Sequence, residues 1–501
     1  MSKVLLINPA FNINKENYDS SISVGLLSIA TYLDFYNIKV EIIDGVRQKN
    51  YLDLVKEKVK DCDYVGISVM TTQIPEALEL SRLVKENNSD CQVIWGGPHP
   101  SFFIKQTASH FLIDMVCYGE GELTMLDIVN GKSLNDIKGI AYQSGDEVII
   151  NQPRELHDPA QMPLFNWELV PKEILENLHL IPSLTSRGCP HRCTFCINAI
   201  LKNHWRTRTA EQVLEDIRII KNKEYFSAKG ETSPFQGGKA KKLRFWDENF
   251  FVDIKRAKQI INGMIEEDLI TPWETTVRAN YLREGMIDEE FIKKLKESGC
   301  YLLSFGAESG CPRILKKIKK DIMPEDVINS AKMCLKYGII PQYSFMAGLP
   351  GETRSEVMET LELIDELVKL GDQIQILGPQ AFRPYPGSEL YKECLTAGLP
   401  RGKAGWQEPG SLDQWGETVK DELNYLDVSK FPWLDNPGFI ESLEAYVRFG
   451  AHSIKSAMGS TIKVNKLLKL FFVLLCQLRW KLKFFRLPWD YKLAKRFVTK
   501  T

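Results

Sequence analysis

A fourth clustered cysteine is missing from this sequence. Cys189, Cys193 and Cys196 form a C-x3-C-x2-C run, and the other eight cysteines, at positions 62, 91, 117, 300, 311, 334, 394 and 476, are scattered. Structural zinc sites close with four protein ligands, and three neighbouring thiols cannot all pair as disulfides. His191 could complete a zinc knuckle only from inside the loop itself, which is sterically awkward. A knuckle and a redox pair stay open as alternatives. The scattered cysteines read as buried thiols. Long apolar runs are also missing: the longest uncharged stretch of the C-terminal segment is residues 470–478, too short to span a bilayer. The net charge of −1 excludes the general electrostatic affinity of a nucleic-acid binder. With no secretory leader and with free cysteines, a reduced, cytoplasmic setting is expected.

At 501 residues, 44% hydrophobic and 26% charged, the chain has the composition of a globular protein of two or three domains. Its charge is unevenly placed. Residues 461–501 hold 11 Lys/Arg and one acid, Asp490, which leaves residues 1–460 at −11. Clustered thiolates are the usual protein ligands of iron–sulfur clusters. Three of them on a four-iron cube leave one iron open to a substrate or cofactor.

Residues 1–155 alternate strands and helices. Strands are expected over 3–9, 40–44, 64–69, 92–97 and 114–118, and helices over 25–36, 52–59 and 75–86. Such alternation predicts a doubly wound, Rossmann-like parallel sheet, whose ligands sit beyond the strands' carboxyl ends. Asn8, Asp44, Ser68, Thr71, Thr72, Gly96, Gly97, Gly119 and Glu120 stand there. Small and hydroxyl side chains at these ends would let a large flat ligand approach the backbone. Residues 138–153 read as a hairpin turning at Ser144-Gly-Asp146, and 156–178 as a linker.

From 179 to 395 six strand–helix units follow, beginning at 179–185, 243–251, 273–279, 301–308, 341–348 and 373–382. They suggest a partial (β/α)6 barrel, with the count alone leaving a full barrel open, and chemistry at the carboxyl ends of the strands. Residues 224–241, rich in Gly, Lys and Ser, read as an exposed insertion. Residues 396–501 are expected to be mostly helical. Residues 396–430 show no clear periodicity, 438–458 read as a helix, and 462–485 mix Lys and Arg with Phe, Leu and Trp. That last pattern suits a helix lying on an anionic membrane, or one docked on the barrel with its basic heads outward.

The cysteine run, with Phe195 before its last member, resembles the C-x3-C-x-aromatic-C loop of the radical S-adenosylmethionine (SAM) superfamily. The resemblance implies that Cys189, Cys193 and Cys196 bind a [4Fe–4S] cluster. SAM would take the open iron and be cleaved reductively to a 5′-deoxyadenosyl radical. It also implies roles for residues at strand ends. Asp247 and Glu248 would accept from SAM's ammonium, Arg278 would hold its carboxylate, and Glu308-Ser309 would meet the ribose. Gly348 belongs to a turn passing the adenine.

The segments INP, GLLSIATYL, VGISVMT, WGGPHPS and YGEGE resemble the cobalamin-binding domain that precedes many radical SAM domains. The Asp-x-His-x-x-Gly motif that supplies a cobalt ligand in many such domains is absent, since the first strand runs into Asn8-Pro-Ala-Phe-Asn12. Cobalamin without histidine on cobalt is therefore expected, as in the group that includes the anaerobic Mg-protoporphyrin cyclase and several methyltransferases. The implied function is methylation of an unactivated carbon. Cyclisation or oxidation, an empty first domain, and a sensor without turnover are the alternatives. An electron donor of flavodoxin or ferredoxin type, and a small or apolar substrate, are the implied partners.

Overall fold

The computed structural model describes residues 2–11, 22–200, 204–222, 241–396, 408–420, 431, 433–434, 436–449, 474–475 and 477–485. Most of the expected insertion (223–240) lies outside these residues, as do 450–473 and 486–501 of the tail. The chain divides into two compact units. One comprises Met1–Leu184, Arg206–Lys242 and Glu408–Leu426; the other comprises Thr185–Trp205, Leu243–Gln407 and Asp427–Thr501.

The first unit carries β1 (Lys3–Asn8), β2 (Lys39–Asp44), β3 (Tyr64–Ser68), β4 (Gln92–Gly96) and β5 (Met115–Cys117). These are parallel and ordered β2-β1-β3-β4-β5. Helices Val24–Phe35, Tyr51–Lys58, Ile74–Asn87 and Glu122–Val129 connect or follow them. A parallel strand covered on both faces reads as an unbroken apolar run. Val4, Leu5, Leu6 and Ile7 are accordingly no more than 1% exposed. The hairpin forms as β6 (Ile140–Ser144) and β7 (Glu147–Ile150) and extends the sheet antiparallel from β5. Ile140 and Tyr142 draw it in by joining the same core as Met115.

A helix also forms where no periodicity was evident, over Leu412–Lys420. Leu412, Trp415 and Val419 enter the core of the first unit. The Trp415 ring lies 5.6 Å from that of His99 and 5.1 Å from that of Phe103. This short amphipathic turn is stable because it lays one apolar face on a preformed surface, not because of its propensity.

The second sheet takes its strands in chain order: β8 (Leu180–Ser183), β11 (Lys242–Phe245), β12 (Trp273–Val277), β13 (Cys300–Glu308), β14 (Ile340–Ala347) and β15 (Gln375–Ala381). Two-residue strands β9 (Ser186–Arg187) and β10 (Arg206–Thr207) fall between the first two. The pairs from β11 to β15 are parallel, and β8 and β15 are the sheet's edges. The α/β class and the six-unit open barrel are as expected. Thr353 caps helix Arg354–Leu370, with Glu356 closing the capping box, and this sets the entry from β14 into that helix.

Candidate functional site

The cysteine loop follows β9. Its cysteines differ in exposure: Cys193 is buried, while Cys189 and Cys196 are half-buried. A turn closes from Cys196 N to Cys193 O at 3.1 Å. Burial raises the Cys189 thiol, and the neighbouring Cys196 and Cys193 raise it further, so the three sulfurs sense one another. Among the described residues, no three His, Cys, Asp or Glu side chains converge on a point that a single metal ion could fill. His191 is engaged elsewhere, with Nε2 2.9 Å from the Tyr281 hydroxyl. Burial, then Arg278 and Lys320, push its imidazole down to about 4.

Arg278, just past β12, is 7% exposed. Its Nη1 lies 3.9 Å from Cys193 Sγ, and its Nε and Nη2 have no hydrogen-bond partner among the described residues. Thr194 Oγ1 and Asn249 Oδ1 are likewise buried and unpartnered. A buried guanidinium with unused donors costs free energy, and a bidentate carboxylate would satisfy it. The residues present therefore fit the group implied by the sequence.

Asp247 and Glu248 part ways. Asp247, 3% exposed, accepts from Thr185 N (2.8 Å), Thr185 Oγ1 (2.6 Å) and Ser186 Oγ (2.5 Å). Arg256 Nη2 donates to Thr185 O from the other side at 2.8 Å. Both oxygens of Asp247 are thus spent holding the strand that feeds the cysteine loop. Glu248 is exposed, and the surrounding protein raises its carboxyl.

Glu308, at the end of β13, has φ 66°, and the β13–β14 register shifts between Gly306 and Glu308. Lys320 Nζ donates to its Oε1 at 2.8 Å. Ser309 is fully buried and paired with Thr360 at 3.1 Å, so it shapes the strand end from beneath. Gly348 has φ 80°, and its N–H and that of Leu349 donate to Glu352 Oε2 at 2.6 and 3.1 Å. Burial raises the Glu352 carboxyl to about 7. Glu352 and Lys320 were not among the candidates read from the sequence. A carboxylate directly after Gly348-Leu-Pro-Gly351 was the one available signal for Glu352.

The first unit presents its own set of strand ends. Asn8 Nδ2 donates to Asp44 Oδ1 at 3.1 Å, and Gln73 Nε2 joins Asn8 Oδ1 and Pro9 O at 3.2 and 2.7 Å. Burial raises the Asp44 carboxyl. Gly97 has φ 93°, and a Cβ there would stand 2.9 Å from Val69 N and 3.1 Å from Ser68 Oγ, so β3 and β4 end in a contact that only glycine permits. Ser101 Oγ donates to Gly97 O at 2.8 Å and accepts from Gly119 N at 3.1 Å. Gly119, exposed with φ 79°, would meet nothing within 4 Å if it carried a Cβ. Thr71 and Thr72 are half-buried, and Thr71 Oγ1 lies 3.2 Å from His99 Nδ1. Glu120 is committed elsewhere. It accepts from both Arg206 Nη atoms, at 3.0 and 2.6 Å, and from His157 N at 3.1 Å. Asn8, Asp44, Ser68, Thr71, Gly96, Gly97 and Gly119 are thus at one end of the sheet, while Glu120 clamps a neighbouring segment.

Residues 183–364 match the Radical SAM superfamily model, and residues 18–129 match the B12 binding domain model. An uncharacterised methyltransferase of Pyrococcus horikoshii is 32% identical, covering 72% of this chain and 76% of its own. The anaerobic magnesium-protoporphyrin IX monomethyl ester cyclase of Rubrivivax gelatinosus is 24% identical over 74% of this chain and 64% of its own. Among solved structures, the cobalamin-dependent SAM radical enzyme OxsB, with aqua-cobalamin and SAM bound, superposes at a TM-score of 0.67 and 17% identity, covering 100% of this chain and 78% of that one. With both domain models matched in order, and with this degree of identity to the archaeal relative, the chain belongs to the cobalamin-binding radical SAM enzymes.

Proposed function

We propose that this protein methylates an unactivated carbon of a small or apolar substrate. The observation that carries the reading is Arg278: a buried cation with two idle donors beside Cys193, on the side of the sheet where the cysteine loop sits. Cys189, Cys193 and Cys196 would hold the [4Fe–4S] cluster, Arg278 the SAM carboxylate, Glu248 its ammonium, Glu308 the ribose and the Gly348–Leu349 turn the adenine. Asp247 acts one step back, by fixing Thr185 and Ser186. Gly96, Gly97 and Gly119, with Asn8, Asp44, Ser68, Thr71 and Thr72, would cradle the cobalamin. When bound, these cofactors supply a 5′-deoxyadenosyl radical for hydrogen abstraction and a methyl group for the substrate radical.

Cobalt takes no histidine from this chain in our reading. His99, which follows β4, is 0% exposed and packs against both Phe103 and Trp415, whose rings also touch each other. Burial pushes its imidazole down to about 3. Anaerobic reconstitution with dithionite, cobalamin and SAM tests the whole reading. Methyl transfer predicts 5′-deoxyadenosine and S-adenosylhomocysteine in equal amounts. The cyclase relative favours a second reading, ring closure or oxidation, for which 5′-deoxyadenosine alone forms. A cofactor-binding sensor forms neither. A flavodoxin- or ferredoxin-type protein would supply the electron.

Peripheral membrane contact is a further part of the proposal. Among the described residues no helix is long and apolar enough to cross a membrane. Residues 474–475 and 477–485 present Leu474, Leu478, Leu482 and Phe484 outward, 44–65% exposed. Trp480 and Lys483 meanwhile anchor the segment on Asp365. Leucines four apart, with Arg479, Lys481 and Lys483 among the last of them, suit an anionic bilayer surface. Removing 461–501 is expected to abolish co-sedimentation with phosphatidylserine vesicles, and unchanged sedimentation would rule the contact out.

A further inference from the structure

We infer that Lys320 is a positioning residue of the SAM site, one that couples the cysteine loop to the Glu308 carboxylate. The inference rests on the SAM reading given above. Lys320 Nζ lies 2.8 Å from Glu308 Oε1, with the two side chains 11% and 10% exposed, and 5.9 Å from the centre of the Phe195 ring. It therefore touches both the acid at the end of β13 and the aromatic residue of the cysteine loop.

The backbone is shaped to deliver this one side chain. Lys319 and Asp321, on either side, have φ 51° and 53°, and Glu308 has φ 66°. Three non-glycine residues in the left-handed region store strain that the surroundings must hold. The holding bonds are Thr194 N to Ile318 O at 3.1 Å, which ties the lysine's segment to the cysteine loop, and Asn280 Nδ2 to Asp321 O at 3.0 Å. Gly306 leaves the room that the ion pair needs. A Cβ at that position would stand 2.3 Å from Glu308 Oε1 and 2.6 Å from Lys320 Nζ. Strain gathered around a buried ion pair is characteristic of a functional site rather than of a stability device. With Oε1 held by Lys320, the other carboxylate oxygen would be the one left to accept from a ribose hydroxyl.

The test compares SAM binding by anaerobically reconstituted wild type, Lys320→Met, Glu308→Gln and the double variant. It uses isothermal titration, the SAM-induced change in the reduced cluster's electron paramagnetic resonance spectrum, and iron content as the loading control. The expected result is full iron in Lys320→Met with SAM affinity roughly ten- to a hundredfold lower, the range of one charge-assisted hydrogen bond. The double variant should be no worse than the weaker single, since the pair acts as a unit. Unchanged affinity in iron-loaded Lys320→Met, or losses that simply add, overturns the inference. If the Met variant does not fold, Lys320→Gln, which keeps a donor without the charge, carries the same comparison. Wild type that loads iron yet binds no SAM refutes the underlying reading instead, and this inference falls with it.

Discussion

Replacing Arg278 by Met should separate function from stability. The guanidinium is 7% exposed, and among the described residues Nε and Nη2 have no partner and Nη1 reaches the Cys193 sulfur at 3.9 Å. An unsatisfied buried donor costs about 1–3 kcal/mol, and a buried charge without a counter-ion costs several more. Methionine follows the aliphatic stem and removes those penalties. Its own loss is packing around a side chain that carries little net attraction. The cluster-free Arg278→Met protein is therefore expected to melt at the same temperature as wild type or a few degrees higher. SAM binding should move the other way. Two charge-assisted hydrogen bonds to a carboxylate are worth about 1.5–3 kcal/mol each, so affinity should fall by roughly a hundredfold or more. Scanning fluorimetry on the cluster-free protein and titration calorimetry on the iron-loaded protein read the two quantities. A variant that melts several degrees lower while still binding SAM normally would show that Arg278 is a structural cation, and the site argument would lose its main support.

Three further outcomes are expected. Changing any one of Cys189, Cys193 or Cys196 to Ala should remove most of the bound iron, and retained iron with SAM cleavage would refute the ligand assignment. Asp247→Asn should lower the melting temperature by several degrees, because donors from Thr185 and Ser186 lose a carboxylate acceptor. SAM affinity in the folded fraction should stay within a few-fold; its loss without destabilisation would place Asp247 on the ligand. Glu352→Gln should flatten a pH dependence of stability. The folded carboxyl holds its proton to about 7 against an ordinary value of 4.5, so the folded chain binds more protons across that window. Stability then declines as pH rises from about 4.5 to 7, and the decline is complete above it. A wild-type urea midpoint that rises over that interval, or a Gln variant with the same slope, counts against this.

What could be read in one dimension was whatever sequence neighbours determine. The strands of the first sheet are apolar runs because both faces are covered, and the cysteine spacing is local, so β1 to β5 and the loop were found within a residue or two. The hairpin was visible too, from Ser144-Gly-Asp146. Its pairing with β5 was not, because that depends on Tyr142 falling in register beside Met115, on a strand far from it in local pattern. Helix Leu412–Lys420 escaped for a similar reason. Its apolar face is three residues wide, and the surface it needs, at Ile74 and Leu78, lies more than three hundred positions earlier.

The division of labour between the acids at the second sheet's strand ends was likewise beyond the linear pattern. Asp247 and Glu248 are adjacent and chemically alike, and both lie past the end of β11, where the backbone is no longer a strand, yet the first is buried and the second exposed. One turned back to hold Thr185 and Ser186, and the other stayed in the open. Lys320 makes the point most sharply. It is one of 64 lysines and arginines, flanked by two more charged residues, and its spacing marks no motif. What distinguishes it is that Lys319 and Asp321 adopt left-handed backbone, that Gly306 lacks a Cβ where its ammonium lies, and that Thr194 bonds to Ile318. Each condition is set by a different strand or loop. A role defined by several long-range constraints leaves no trace in local sequence, so in this chain the Lys320–Glu308 pair had to come from the structure, whereas the cysteine spacing could be read directly.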